Sequence, residues 1–198
     1  MYIQNDLLTD VNHDFKTNKS SSGKNICDFL IIHYTGSYEG VRGDINQCVN
    51  LNIKVSWHLT IDRKGQVYQH ADFRKITWHA GKSFWKSRVT DKEYENLNKY
   101  SIGIELDNAG KLTQISDNKF KTDYGQKLTK DQVYKDDNGN FWEKYSIPQL
   151  ESLYEVSKII VKKYKTVEIL GHEDIAPLRK TDPGPAFDME ILRSICGK

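Results

Sequence analysis

The chain has 198 residues, enough for one well-buried core and too few for two ordinary domains. With 37% hydrophobic and 28% charged residues it falls in the soluble globular class, and no apolar run approaches the roughly 20 residues that span a bilayer, which excludes a membrane span. A net charge of +2, with lysines interleaved among acids, argues against nucleic acid as a partner.

The polar opening through Lys24 reads as an N-terminal arm, mobile or peripheral, ahead of a domain spanning residues 25–198. It lacks a basic stretch followed by an apolar core, so nothing in it reads as a secretory signal, and the cytoplasm or release by a non-signal route is expected. Cys27, Cys48 and Cys196 form no C-x-x-C pair and, being odd in number, cannot all pair within the chain; reduced thiols are expected. From Ile26 the run ICDFLIIHYT is rich in β-branched and aromatic residues and predicts a strand buried on both faces, ending at Gly36. Asp44 to Leu51 predicts a short helix. SWHLTIDRKGQVYQ predicts a hairpin, with strands from Ser56 to Ile61 and through Gln69 around a turn at Arg63, Lys64 and Gly65.

YSIGIELDNAG alternates, placing Ile102, Ile104 and Leu106 on one strand face and Ser101, Gly103, Glu105 and Asp107 on the other. Residues 110–143 are polar and turn-rich, with a hairpin tip at Asp136-Asp137-Asn138-Gly139-Asn140, and read as a loop or hairpin insertion that borders the active site. The next helix carries strong start signals. Ser146 caps, Gln149 completes a capping box, Pro148 suits the first turn, and Tyr145 with Leu150 makes a hydrophobic staple. Its apolar stripe of Leu150, Leu153, Tyr154, Ile160, Val161 and Tyr164 must cover one face of a sheet. A strand from Thr166 to Leu170 follows, then GHEDIAPLRKTDPGPAFDM, whose prolines and glycines forbid continuous regular structure, and a last helix from Asp188 to Ile195. These elements predict an α/β fold: a central twisted mixed β-sheet flanked by α-helices.

His33 at the end of the central strand, with His172 and Asp182 flanking the late loop, offers two imidazoles and one carboxylate. Such a set leaves a fourth tetrahedral position open, as catalytic zinc requires. Proline after Asp182 favours an extended conformation there and holds the carboxylate in one direction. Spacing alone leaves other readings open: a hydrogen-bonded core histidine for His33, a turn residue for His172, a turn initiator for Asp182. Glu105 reads equally as a solvated strand carboxylate and Lys180 as a surface lysine. A zinc histidine's second ring nitrogen usually needs a carbonyl or carboxylate partner, for which Glu173 and Asp174 are candidates.

The segments IIHYT, WHAG (Trp78 to Gly81), SIGIEL and GHEDIAPLRKTDPGPAFD resemble those of the type 2 N-acetylmuramoyl-L-alanine amidases, a group that includes muropeptide-recycling amidases, phage endolysins and peptidoglycan recognition proteins. The resemblance runs from Ile26 to Met189 and is nearest the recycling and outer-membrane branch. It implies zinc (Zn2+) held by His33, His172 and Asp182, with Asp182 standing where the phage-lysozyme and recognition-protein branches use cysteine. It also implies a catalytic Glu105, Lys180 at the oxyanion, Arg179 on the peptide's carboxylates, and peptidoglycan or muropeptide as substrate. Trp78 and His79 are expected in the sugar or peptide groove, or else as a core-packed tryptophan and a backbone-bonded histidine. His58 follows Trp57 where the phage-lysozyme branch has a catalytic tyrosine before its histidine, and the missing tyrosine fits the Glu105 branch. His13 and His70 read as surface residues. The competing reading is a catalytically inactive peptidoglycan-binding module, which has no need to keep His33, His172, Asp182, Glu105 and Lys180 together. A weaker third reading is a zinc amidase or peptidase with another peptide target.

Overall fold

In the computed structural model, which describes residues 1–36 and 40–198, the opening segment lies packed on the domain and is no mobile or peripheral arm. Its strands β1 (Ile3–Gln4) and β2 (Leu7–Leu8) pair antiparallel, and Leu8 is buried in the main core. Lys19 is buried too, and its ammonium donates to the carbonyls of Gln47, Asn50 and Ile53 at 2.7, 2.9 and 2.9 Å. Two of these carbonyls belong to the end of helix α1 (Val41–Val49) and its C-cap, where the helix has no basic residue of its own. Lys19 therefore supplies the cation that a helix C-terminus favours. Replacing Lys19 with methionine keeps the stem and removes the donors; we expect a loss of about 2–4 kcal/mol in urea unfolding. A loss below about 1 kcal/mol would contradict this reading.

Strand β3 (Phe29–Tyr34) is the predicted central strand, and helix α1 begins three residues before the expected Asp44. Strands β4 (Leu59–Ile61) and β5 (Val67–Gln69) form the expected hairpin, with the first strand starting at Leu59 instead of Ser56. A second small hairpin, β6 (Phe84–Lys86) and β7 (Glu93–Glu95), carries no clear alternation in the sequence. Strand β8 (Ser101–Leu106) is the SIGIEL segment.

Residues 111–143 hold more structure than a loop or single hairpin. Strands β9 (Lys111–Ser116), β10 (Lys119–Lys121), β11 (Lys127–Thr129), β12 (Val133–Lys135) and β13 (Phe141–Glu143) form an antiparallel sheet in the order β11-β10-β9-β13-β12. Asp136 and Asn140 close the predicted tip between β12 and β13. This sheet has its own small core of Leu112, Phe120, Leu128 and Val133, one apolar side chain from each of four short strands.

Helix α2 (Ile147–Tyr164) is capped as predicted by Ser146, whose hydroxyl accepts from the Gln149 N–H. Only half of the expected capping box forms. The Gln149 side chain donates instead to the carbonyls of Ile61 and Asp107 at 2.9 and 3.1 Å, tying the helix start to the sheet. Strand β14 (Glu168–Gly171), the single helical turn α3 (His172–Ile175) and helix α4 (Met189–Ile195) complete the chain. The turn α3 sits in the stretch expected to lack regular structure; the Asp174 carboxylate accepts the Gly171 N–H at 2.8 Å and starts it.

The main sheet has the order β14-β3-β8-β4-β5, parallel except for β5. On one face Leu30, Ile32, Ile102 and Ile104 pack with Leu153, Val156 and Ile160 of α2, each full burial contributing roughly 1.5–3 kcal/mol. On the other face Phe29 and Ile31 pack with Ala80, Leu97, Leu170 and Ile175. All three cysteines are free. Among the described residues no helix is long and apolar enough to cross a membrane.

His70, expected at the surface, is fully buried, and His13 is half-buried with its ring 2.8 Å from the Leu8 carbonyl. His70 Nδ1 donates to the Phe15 carbonyl at 2.7 Å, and Nε2 accepts the Thr60 hydroxyl at 2.9 Å. His58 is also buried; its Nε2 donates to the Lys75 carbonyl and its Nδ1 accepts the Gly103 N–H. Burial holds both rings neutral and lowers their pKa to about 4 from 6.5. The unfolded chain therefore binds protons first as the solution is acidified. The stability these rings contribute is complete above pH 6.5 and drains away as pH falls toward 4, by about 2–3 kcal/mol per ring at most. The urea midpoint should fall across this window, and less steeply in His70→Gln. An equal slope in the two proteins would refute the assignment to His70.

Candidate active site

The parallel register of β3 and β8 places His33 directly beside Glu105, and both lie on the sheet face opposite α2. β14 ends at Gly171 beside β3 and delivers His172 to the same carboxyl edge, where parallel α/β sheets bind their ligands. Asp182 arrives from the loop that follows. That loop is held by the Asp182 carbonyl, which accepts the Glu173 N–H, and by the Tyr145 hydroxyl, which donates to the Pro183 carbonyl at 2.8 Å. The Asp182–Pro183 peptide bond is cis. Trp142 of β13 lies against Gly184, where φ is +74° and a Cβ would come within 3.0 Å of the indole, so the second sheet buttresses the loop that carries Asp182.

His33 Nδ1, His172 Nδ1 and Asp182 Oδ2 converge, with pairwise distances of 2.9, 2.9 and 3.0 Å, and all three side chains are buried. His172 Nε2 lies 3.2 Å from the Ala80 carbonyl, which can only accept; this nitrogen carries the proton and His172 Nδ1 presents a lone pair to the cluster. Two imidazoles and an anionic oxygen gathered out of water repel one another unless a cation joins them, so the donor set fits a metal ion. The expected partners Glu173 and Asp174 do not face the second nitrogens of His33 and His172. Asp174 caps α3, while the second nitrogens of His172 and His33 face the Ala80 carbonyl and His79.

Burial pushes the His33 pKa down to about 4, helped by the neighbouring His172. Glu105 is raised well above its usual range, first by burial and then by the charges of Asp182 and Asp44, with Lys180 pulling the other way. Its Oε2 is buried and has no hydrogen-bond partner among the described residues. Glu105 is thus no solvated strand carboxylate.

A narrow cavity of about 130 Å³ brings together His33, His172, Asp182, Glu105, Lys180 and Trp78. Trp78 is half-buried, and its indole donates to Ser21 of the opening segment at 2.9 Å. Arg179 is exposed, and its Nη2 donates to the carbonyls of Ala80 and Lys82 at 3.0 and 2.9 Å, bracing the WHAG loop. A larger groove of about 760 Å³ extends outward from Arg179 and Lys82, past Phe84 and Trp85. The sequence did not signal Tyr34 and Trp57, which also line the small cavity; nothing in their spacing separates them from core aromatics.

The chain matches the N-acetylmuramoyl-L-alanine amidase family model over residues 22–185. It belongs to this family. The 1,6-anhydro-N-acetylmuramyl-L-alanine amidase AmpD of Escherichia coli (strain K12) is 32% identical over 149 residues, 74% of this chain and 61% of that protein. The N-acetylmuramoyl-L-alanine amidase AmiD of the same strain is 28% identical over 172 residues, 82% of this chain and 51% of that protein. The chain thus spans less than two thirds of the length of these relatives. Among solved structures, a selenomethionine AmpD derivative has a TM-score of 0.69 at 24% identity, covering 98% of this chain and 99% of that one. AmiD from E. coli, in complex with the substrate anhydro-N-acetylmuramic acid-L-Ala-D-gamma-Glu-L-Lys, has a TM-score of 0.64 at 24% identity, covering 90% and 60%. These likenesses establish the mixed α/β amidase fold, and the sequence relatives agree with the resemblance to the recycling branch.

Proposed function

We propose that this amidase-family chain is a zinc-dependent N-acetylmuramoyl-L-alanine amidase, hydrolysing the amide between N-acetylmuramic acid and L-alanine in peptidoglycan or muropeptides. The observation that carries the reading is the convergence of His33, His172 and Asp182 on one cavity, with a Glu105 oxygen that has no hydrogen-bond partner among the described residues. A pure peptidoglycan binder has no use for that assembly.

His33, His172 and Asp182 would hold the zinc, which when bound supplies Lewis acidity, acidifying a water toward neutrality and polarising the scissile carbonyl. Glu105 accepts the proton of the attacking water and returns it to the alanine nitrogen as the C–N bond breaks. Lys180 places its charge beside the oxyanion of the tetrahedral intermediate. Arg179, with Lys82 nearby, puts positive charge at the mouth of the larger groove, which suits the carboxylates of a stem peptide. Trp78 supplies an apolar wall to the small cavity.

The test is release of new N-terminal L-alanine from a soluble anhydro-muropeptide and from purified sacculi. Cleavage of either supports the activity, and the preferred substrate separates recycling from wall lysis. No cleavage by zinc-loaded protein would leave a binding module or another amide as the target.

A further inference from the structure

We propose that His79 is a positioning residue that sets the tautomer of His33, through a one-way chain of hydrogen bonds anchored on the Leu97 carbonyl. The inference rests on the reading of His33 as a metal ligand.

The direction of the chain follows from its end. The Leu97 carbonyl has no proton to give, so the Ser101 hydroxyl donates to it, at 2.7 Å. With its only proton used, Ser101 Oγ accepts at its other contact, 3.2 Å from His79 Nε2, and that nitrogen therefore carries the His79 proton. His79 Nδ1 is then an acceptor in the neutral ring, and the atom 3.0 Å away is His33 Nε2, which must donate. The His33 proton is thereby held on Nε2, and its Nδ1 faces His172 Nδ1 and Asp182 Oδ2 with a free lone pair. The opposite polarity would turn the Ser101 proton toward His79 Nε2 at 3.2 Å and leave two acceptor oxygens facing each other at 2.7 Å with no proton between them. A protonated His79 would send an N–H at His33 Nε2 and drive the His33 proton onto the nitrogen that should bind metal.

The local structure is shaped around this ring. His79 is 7% exposed, and its backbone N–H and that of Ala80 both donate to the Asn98 side-chain oxygen, at 3.1 and 2.7 Å. A Cβ at Gly103 would lie 2.5 Å from His79 Cγ and Nδ1, so only glycine admits the ring at this point of β8. Three successive positions on one face of SIGIEL therefore act on the site: Ser101 anchors the chain of bonds, Gly103 makes room for it, and Glu105 faces the cavity. His172 reaches the same state more simply, through the Ala80 carbonyl. Outer partners of this kind typically change metal affinity by roughly 10–100-fold.

The experiment compares wild type with His79→Phe, His79→Gln and Ser101→Ala. Long-range side-chain ¹⁵N–¹H correlation spectra of the metal-free proteins read the His33 tautomer, chelator competition reads zinc affinity, and circular dichroism with thermal melting checks folding. In wild type His33 should be the Nε2–H form. His79→Phe should mix the two tautomers and weaken zinc binding by roughly 10–100-fold. His79→Gln, whose side-chain oxygen can accept the same proton, should restore most of both. A folded His79→Phe protein with an unchanged His33 tautomer and zinc affinity within about twofold of wild type would overturn the proposal. Should His79→Phe fail to fold, Ser101→Ala decides: a mixed tautomer supports the chain, and an unchanged tautomer with unchanged affinity overturns it. Wild-type protein that binds no zinc while His33 holds its proton on Nε2 would support the chain of bonds and sink the zinc reading.

Discussion

Replacing Glu105 with glutamine should leave a folded, zinc-loaded protein whose release of alanine falls by about 10²–10⁴-fold. Glu105 sits beside His33 in register yet is outside the converging ligand set, so its loss need not disturb the metal. Its Oε2 is buried without a hydrogen-bond partner among the described residues, and glutamine fills the same space without a site for the proton. Burial next to Asp182 and Asp44 raises its proton affinity, with Lys180 opposing, which suits a group that must take a proton from water and give it up again. Zinc content by elemental analysis and single-turnover release of N-terminal alanine decide the matter. A zinc-loaded variant retaining more than about a tenth of wild-type activity would remove Glu105 from the role of general base.

Replacing Asp182 with asparagine should abolish zinc binding and activity together while leaving the metal-free fold intact. In the candidate cluster the carboxylate is the sole anion among the three converging side chains. The introduced amide is neutral and brings N–H donors that can satisfy the two Nδ1 lone pairs, so the metal-free chain loses little. Zinc affinity should fall by more than the roughly 10–100-fold that loss of an outer partner costs. Chelator treatment of wild type should produce the same inactive state, reversed by added zinc, whereas the variant should stay inactive at moderate zinc. Zinc binding at wild-type affinity in a folded Asp182→Asn protein would exclude Asp182 as a ligand.

The two variants separate the roles that the cavity combines. Glu105→Gln keeps metal and loses chemistry; Asp182→Asn loses both. A structural role for either residue would show instead as a lowered melting temperature with activity tracking the folded fraction.

Much of the fold is legible in the sequence itself. The β-branched run around Leu30, the alternation of SIGIEL and the cap signals at Ser146 each depend on near neighbours in sequence, and such local rules set β3, β8 and α2 with little help from the rest of the chain. The candidate set His33, His172 and Asp182 was equally visible, because only a few side-chain types can ligate a metal.

What the tertiary structure alone decided involves partners far apart in sequence and groups that carry no distinctive side chain. The polar opening looked unanchored because nothing near Lys19 in sequence needs a cation; the carbonyls that do lie at the end of a helix about thirty residues on. Residues 110–143 read as a loop or hairpin insertion because four of the five strands have only three residues, too few to show a period, and only their pairing makes a core. His79 was expected in the groove and does line the small cavity, whereas Glu173 and Asp174 resembled partners for His33 and His172. Yet the second nitrogens of His172 and His33 face the Ala80 carbonyl, present in every sequence and visible in none, and, through His79, a hydroxyl on a neighbouring strand that also lies against the Leu97 carbonyl. Sequence names the atoms that can bind a metal; the folded backbone decides which of their nitrogens are free to do so.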